Sequence, residues 1–361
     1  MSQPPAPLRI LQAGLGGWGR SWAAELNKRP DLLTTVGYVD LMPDMLEMLR
    51  ADLGVHPSLC FASLAEAIAA TDAEAVLVTT ALPGHAAVAI EALNAGKHVL
   101  VEKPIAATLS DARQMVKAAG DAGRVLMVSQ NYRFYPAAQT VSRIIAGKAL
   151  GEVGAVTVKF RKYANEAAAG TNRHYLLPDP LLLDMSIHHF DLMRYVLGQE
   201  PLEVNCRAWN PAWSKFMDPA AAIATVLFDG GAVVNYQGSW VSTQEETLWA
   251  GEWLIECTRG SIEWTGRADQ HTAADSVIIR PLNGVAQVIN LPRDDTYDRV
   301  GSLAEFRSAI HERRAPLTSG QANLATLALT LGAIESSKTN TPQDIPALLR
   351  TTGSLAMKGG N

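Results

Sequence analysis

Residues 9–19 read RILQAGLGGWG, a strand-like run that ends in a turn carrying Gly14, Gly16 and Gly19 in G-x-G-x-x-G spacing. Gly14 would permit the tight turn, Gly16 would let the backbone approach a pyrophosphate, and Gly19 would let the next helix pack closely on the strand. The phosphates would then lie at a helix N-terminus, where unpaired N–H groups and the helix dipole favour anions. Glycines in this spacing also occur in ordinary loops, and Asp40 separates the two cases. It ends the next apolar run, 21 residues past Gly19, where a carboxylate accepts the hydroxyls of an adenine ribose. Strand, glycines, helix, strand and aspartate in that order predict a dinucleotide-binding unit. Leu41 and Met42 follow Asp40, so no cation is placed there for a 2'-phosphate, which favours NAD over NADP.

Outward from this stretch, the chain alternates apolar runs of strand length with helical segments up to about residue 131. RILQAG, LLTTVGYVD, EAVLVTT, KHVLVEK and RVLMVSQN are the strands, with helices expected around residues 18–28, 43–53, 63–71, 83–95 and 109–122. Strands apolar on both faces imply a parallel sheet covered on both sides, a doubly wound α/β domain over residues 1–131.

After about residue 150 the period becomes two. Val156, Val158 and Phe160 alternate with Thr157, Lys159 and Arg161, and Leu202, Val204, Cys206 and Ala208 with Glu203, Asn205 and Arg207. Strands buried on one face only, with turns at Gly230-Gly231, Arg259-Gly260 and Asn283-Gly284, predict a mostly antiparallel sheet in an α+β domain over residues 132–361. Ser302 and Glu305 read as a capping box for a helix carrying Leu303, Phe306 and Ile310, and residues 320–337 as a further helix.

Composition narrows the function. Of 361 residues, 48% are apolar and 19% charged, and 31 basic against 36 acidic residues give a net charge of -5. No basic stretch interleaved with aromatics is present to neutralise phosphates, so nucleic acid is not an expected partner. The opening MSQPPAPLRILQAG lacks the layout of a signal peptide, and no segment reaches the ~20 apolar residues of a membrane span. Cys60, Cys206 and Cys257 are far apart and odd in number, which suits the reducing cytoplasm.

Residues 181–198, LLLDMSIHHFDLMRYVLG, read as a helix stopped by Gly198. Asp184, His188 and Asp191, at i, i+4 and i+7, would share one face of it. A capping Asp184, an interior His188 and a solvated Asp191 would be the ordinary case for one isolated helix. His189 should point away by about 100° and be structural. A metal held by Asp184, His188 and Asp191 is conceivable by ligand type, but no further ligand cluster is visible and no metal is expected. Lys103 ends the fifth strand in Glu102-Lys103-Pro104, and Pro104 keeps it extended at the strand's carboxyl end, where ligands of open parallel sheets collect. Alone, it would be read as a solvated lysine. Six tryptophans, Trp209, Trp213, Trp240, Trp249, Trp253 and Trp264, lie in the second half. Two or three are expected at substrate, since such rings stack on sugars, and the rest in core or interface.

The GLGGWG loop, the EKP sequence, QNYRFYP at residues 130–136 and Asp184-x-Ser186-x-His188-x-x-Asp191 together resemble the glucose-fructose oxidoreductase / inositol dehydrogenase / MocA (Gfo/Idh/MocA) family. The similarity runs over nearly the whole chain, to the AIESSKTNTPQDIP tail. It implies a Rossmann domain, then a domain with a large open antiparallel sheet, and hydride transfer between a nicotinamide and a carbinol carbon of a sugar, cyclitol or related polyol. By the resemblance Lys103, Asp184 and His188 are catalytic. Gly14, Gly16, Gly17, Trp18, Gly19, Asp40, Leu41, Thr79, Thr80, His85, Glu102 and Lys103 are expected at the cofactor. Asn131, Arg133, Asp184, His188 and Trp240 are expected at the substrate. Ser186 replaces the family's glycine, and DPLLL its glycine-rich run, so the substrate's approach here departs from the family pattern.

In the oxidation direction His188 would take the hydroxyl proton while Lys103 stabilises the charge developing on that oxygen, and Asp184 would hold a neighbouring hydroxyl or orient the imidazole. The competing readings are an NAD-assisted glycoside hydrolase, an imine or enone reductase, and a non-catalytic cofactor sensor. The sensor would have no use for a proton acceptor. An open sheet half-covered by helices leaves an apolar face, so a homodimer or homotetramer is expected.

Overall fold

The computed structural model describes residues 6–268, 272–292 and 296–351. The first five residues of the Pro-rich lead lie outside them. The chain divides into two compact units, residues 1–131 with 298–324, and residues 132–297 with 325–361.

In the first unit the expected alternation of strand and helix is realised. The elements are β1 (Leu8–Ala13), α1 (Gly17–Leu26), β2 (Leu33–Val39), α2 (Pro43–Leu53), β3 (Cys60–Phe61), α3 (Leu64–Ala70), β4 (Ala75–Val78), α4 (His85–Asn94), β5 (His98–Glu102), α5 (Leu109–Ala122) and β6 (Leu126–Ser129). The strands form a six-stranded parallel sheet in the order β3-β2-β1-β4-β5-β6. Ile10, Leu11, Val76, Leu77, Val99 and Leu100 are all fully buried. Adjacent residues on a strand point to opposite faces, so burial of both members of each pair requires cover on both sides. The peptide between Lys103 and Pro104, just past β5, is cis.

The second unit contains α6 (Pro136–Ala146), β7 (Val153–Arg161), a π-helical segment (Pro180–Ser186), α7 (Ile187–Leu197), β8 (Pro201–Trp209), β9 (Ala221–Phe228), β10 (Val233–Ser239), β11 (Glu252–Cys257), β12 (Gly260–Thr265), β13 (Ser276–Pro281) and β14 (Gln287–Val288). The chain then returns to the first unit as α8 (Asp298–Glu312), and ends in α9 (Gly320–Thr339), β15 (Gln343–Asp344) and α10 (Ile345–Arg350). The sheet has nine strands in the order β14-β13-β12-β11-β7-β10-β9-β8-β15. Every neighbouring pair is antiparallel except β7 and β10. The period-two pattern has its expected cause: Val156, Val158, Phe160, Val204, Val226, Val234 and Ile255 are buried on one face. Ile223, Leu227, Val233 and Leu254 remain exposed on the other.

Two expectations are corrected. The change of period at about residue 150 places everything after it in the second domain, yet α8 and the loop after it pack in the first unit. There the Val128 N–H donates to Thr318 O, Thr318 Oγ1 donates to Val128 O, and Arg299 lies over the rings of Trp18 and Trp22. Ser302 does not cap a helix. The helix starts four residues earlier, at Asp298, whose carboxylate accepts from the Asn131 amide. Ser302 is thus inside α8 and fully buried, and Glu305 instead takes both Nη groups of Arg314.

Candidate functional site

The glycine loop shows which glycines serve packing and which serve something else. Gly14 sits at φ +97°, a conformation that L side chains rarely adopt, and a Cβ there would lie 2.4 Å from Thr80 N. A Cβ on Gly19 would lie 2.1 Å from Gly14 O, so the close approach of α1 to the turn requires glycine. By contrast, Cβ atoms on Gly16 and Gly17 would meet nothing within 4 Å. That open backbone stands where the loop enters α1, whose N-cap, Gly16, makes no side-chain capping bond. Bare N–H groups on open backbone fit a pyrophosphate.

Asp40 closes the cradle: Oδ2 accepts from Leu15 N at 2.7 Å and Oδ1 from Met42 N at 2.9 Å, which leaves further lone pairs for ribose hydroxyls. Leu41 is 82% exposed beside it. Trp18 is half exposed under the Arg299 guanidinium. Thr79 Oγ1 donates to Gly14 O at 2.6 Å, so it holds the turn itself. Gln12, which the sequence reading missed, supports the same turn through a 2.6 Å bond to Gly19 O. A polar residue in an otherwise apolar strand was the available signal. Arg20 was also missed: its Nη1 reaches Leu15 O at 3.3 Å, and its Nε pairs with Asp52. A cation therefore does stand beside the glycine loop, already engaged by a carboxylate.

Lys103 follows the last residue of β5, at the carboxyl edge of the sheet as expected. Other residues expected at ligands face inward. Glu102 is buried, with Oε1 accepting from Trp22 Nε1 at 2.6 Å and Oε2 from Lys103 N at 3.0 Å. His85 is 2% exposed, its ring nitrogens 2.9 Å from Pro104 O and 3.0 Å from Thr80 O. Burial pushes its imidazole below the usual range. Thr80 itself is part-buried, and the Asn131 amide is tied to Asp298. For Glu102, His85 and Asn131 the ligand-contact expectation gives way to a supporting role within the unit.

In the second unit, the stretch 181–198 is two structures rather than one helix. The chain winds as a π-helix from Pro180 to Ser186, then as α7 until Gly198, which ends it at φ 63° in the left-handed region. Asp184 therefore lies in the π-wound segment, and His188 and Asp191 in the α-helix that follows it. Asp184 is the most exposed of them, with Oδ2 3.7 Å from His174 Nε2. His188 is 7% exposed, its ring stacked on Tyr132 with centroids 4.2 Å apart and planes at 8°.

Asp191 is turned into the core. It accepts from Arg133 Nε and Nη2 at 2.5 and 2.7 Å and from Thr326 Oγ1 at 3.0 Å. Arg133, expected at the substrate, has its guanidinium on Asp191, and the opposite charges neutralise each other in a site where either alone would be costly.

His189 is structural, as its angular offset predicts. Its nitrogens lie 3.1 Å from Tyr236 Oη and 2.9 Å from Trp249 O, and burial pushes its imidazole down to about 4. Ser186, where the family has glycine, bonds Tyr236 Oη at 2.8 Å and is fully buried. Trp240 is a further correction. Its N–H donates to Pro180 O and its ring packs edge-on against Phe160, so at 5% exposure it supports the π segment. Trp253 and Trp264 stack on each other in the core, while Trp209 and Trp213 are exposed. Trp249 lies between the cations of Lys162 and Arg267, and Arg267 also lies 4.6 Å from the Tyr132 ring. Among the described residues, no three His, Cys, Asp or Glu side chains gather as a metal would require. No described helix is long and apolar enough to cross a membrane.

Residues 8–130 match the family model for an oxidoreductase family with an NAD-binding Rossmann fold, and residues 138–263 match that for the GFO/IDH/MocA C-terminal domain. The chain is 31% identical over 346 residues to inositol 2-dehydrogenase of Rhizobium meliloti, covering 91% of this chain and 96% of that one. It is 34% identical over 318 residues to 4-carboxy-2-hydroxymuconate-6-semialdehyde dehydrogenase of a Sphingobium species, covering 82% and 98%. Its fold matches the crystal structure of an oxidoreductase from Agrobacterium radiobacter in complex with NAD+, L-tartaric acid and magnesium. The TM-score is 0.81 at 20% identity, over 95% of this chain and 99% of that one.

Proposed function

The chain belongs to the GFO/IDH/MocA oxidoreductase family, and on that premise we propose that it oxidises a carbinol carbon of a sugar, cyclitol or related polyol. Bound NAD supplies the hydride acceptor. The observation that carries the reading is the presence, in one chain, of an open glycine cradle closed by Asp40 and of a histidine, His188, whose imidazole is stacked flat on Tyr132. The name of the inositol 2-dehydrogenase relative points to the cyclitol end of the substrate range.

His188 takes the hydroxyl proton as the carbinol C–H leaves as hydride. The flat ring of Tyr132 fixes the plane of that imidazole. Lys103 donates to the carbinol oxygen and offsets its developing negative charge. Asp184, the exposed carboxylate beside His174, holds an adjacent hydroxyl. Asp40 selects NAD, because a 2'-phosphate would meet its carboxylate. The exposed Ile223, Leu227, Val233 and Leu254 form an apolar sheet face that suits a homodimer or homotetramer, which light scattering would check.

The test is an absorbance assay at the NADH band with NAD, and separately NADP, against monosaccharides, cyclitols, sugar acids and aryl glycosides. NADH formation with a polyol class is expected, with NADP at least tenfold poorer. Release of aglycone from an aryl glycoside without net NADH would replace the reading with NAD-assisted hydrolysis. Equal use of NADP would remove the role given to Asp40.

A further inference from the structure

Lys103 is gripped on both sides by buried groups of its own unit. On the amino side, Glu102 Oε2 accepts from Lys103 N at 3.0 Å, and Oε1 of the same carboxylate accepts from Trp22 Nε1 at 2.6 Å. Trp22 is fully buried, and the Arg299 guanidinium lies 5.2 Å from its ring while reaching Ser21 Oγ at 3.1 Å. On the carboxyl side, Pro104 O faces His85 Nδ1 at 2.9 Å, and His85 Nε2 faces Thr80 O at 3.0 Å. Thr80 N is also where a side chain on Gly14 would collide. Both brackets therefore begin at the nucleotide loop and its helix: one runs from α1 through Trp22 and Glu102, the other from the Gly14 turn through Thr80, His85 and Pro104.

A lysine side chain has high rotamer freedom, so its reach depends on how firmly its backbone is set. A buried carboxylate with an indole donor on one oxygen is a fixed acceptor, because turning it away would leave its charge unpaired in the interior. The His85 ring, pushed toward its neutral form by burial, has one N–H to donate and so ties one of the two carbonyls, Pro104 O or Thr80 O, at a time.

We propose that Trp22 and His85 are positioning residues that set Lys103 from its two sides, Trp22 through Glu102 and His85 through Pro104. The inference rests on the catalytic reading of Lys103 and adds two residues that act through it. Trp22→Phe keeps an aromatic ring at the site and removes the N–H donor together with part of the ring volume. His85→Gln removes the ring and keeps an amide N–H, which can donate to one carbonyl.

The clamp is tested on the full chain by competitive acetylation with acetic anhydride, reading Lys103 against exposed Lys117 by peptide mass spectrometry. This reports on the lysine without any substrate. With the clamp, the Lys103 to Lys117 ratio changes at least threefold in each variant, NAD affinity stays within about twofold, and polyol turnover falls about tenfold at unchanged KM. The Trp22→Phe/His85→Gln double variant loses less turnover than the product of the two single losses, because both act on one backbone position. A wild-type labelling ratio in both variants overturns the clamp. Lys103→Met separates the two levels: if it keeps full turnover while the labelling ratios still change, the clamp stands and the catalytic reading of Lys103 falls.

Discussion

The imidazole of His188 lies flat on the phenol ring of Tyr132, centroids 4.2 Å apart and planes within 8° of parallel. The Arg267 guanidinium also lies on that ring, 4.6 Å from its centroid. Such stacking contributes about 0.5–1.5 kcal/mol beyond area burial. Its larger effect is angular, since a base misplaced by about 1 Å can lose two orders of magnitude in rate. Tyr132→Phe, which keeps the ring, should hold kcat within about twofold, whereas Tyr132→Leu should lower it about tenfold. Steady-state kinetics decide, and equal kcat in the two variants would remove the stack from the account.

Asp191 and Arg133 give a stability prediction. The carboxylate is 1% exposed and holds the guanidinium through two bonds. Removing one partner of such a pair costs about 3–5 kcal/mol, because the other charge stays buried. Asp191→Asn should therefore lower the urea unfolding free energy by about 3 kcal/mol. A loss under about 1 kcal/mol would mean that the pair is not buried as described.

The glycine loop separates folding from binding. Gly16→Ala places a methyl where nothing lies within 4 Å, at φ -57°, a value any residue adopts. The melting temperature should be unchanged and NAD affinity at least tenfold weaker. Gly19→Ala meets Gly14 O at 2.1 Å, so it should lower stability and binding together. Calorimetry of both variants checks this, and full NAD affinity in Gly16→Ala would contradict the placement of the pyrophosphate.

Stability should fall on the acid side. Burial pushes His189 and His98 down to about 4 from the ordinary 6.5. The unfolded chain binds protons at these imidazoles below about pH 6.5 while the folded chain resists them. Their contribution is thus complete above pH 6.5 and is lost as pH falls toward 4. Asp275 acts in the opposite sense, since burial pushes its carboxyl up to about 6 and folding is increasingly opposed as pH rises from 3.8 to 6. Two histidines outweigh one carboxylate, so the melting temperature should drop between pH 6.5 and 4.5. His189→Gln, whose amide does not titrate, should show a shallower drop. An unchanged slope in that variant would contradict the buried neutral imidazole.

Much of the fold was legible because its signals are local. Apolar runs such as EAVLVTT and the switch to period two at Val156 follow from which faces are covered, and the glycine turns marked the hairpins. Legibility failed where partners distant in sequence decide. Asp191 reads as a polar position on an amphipathic helix until Arg133, 58 residues earlier, is brought to it. Ser302 reads as a cap until Asn131 fixes Asp298 and extends α8 backward. The π winding through Pro180–Ser186 leaves no periodic mark that α-helical spacing would not also leave, so the stretch reads as one helix. Trp22 escaped for the same reason, and His85, expected at the cofactor, was not linked to Lys103. Each is an ordinary apolar or interior residue by position, and its link to Lys103 exists only after β5 is placed beside β4.

The central claim is hydride transfer from a polyol carbon, and isotope transfer measures it most directly. The purified protein would be incubated with NAD and myo-inositol or another reactive polyol carrying deuterium on its carbinol carbons, and the nicotinamide product analysed by mass spectrometry. The account predicts NADH one mass unit heavier, with the label at nicotinamide C4, and loss of that product in His188→Asn. Deuterium released to solvent without labelled NADH, or glycoside cleavage with no net reduction of NAD, would contradict it.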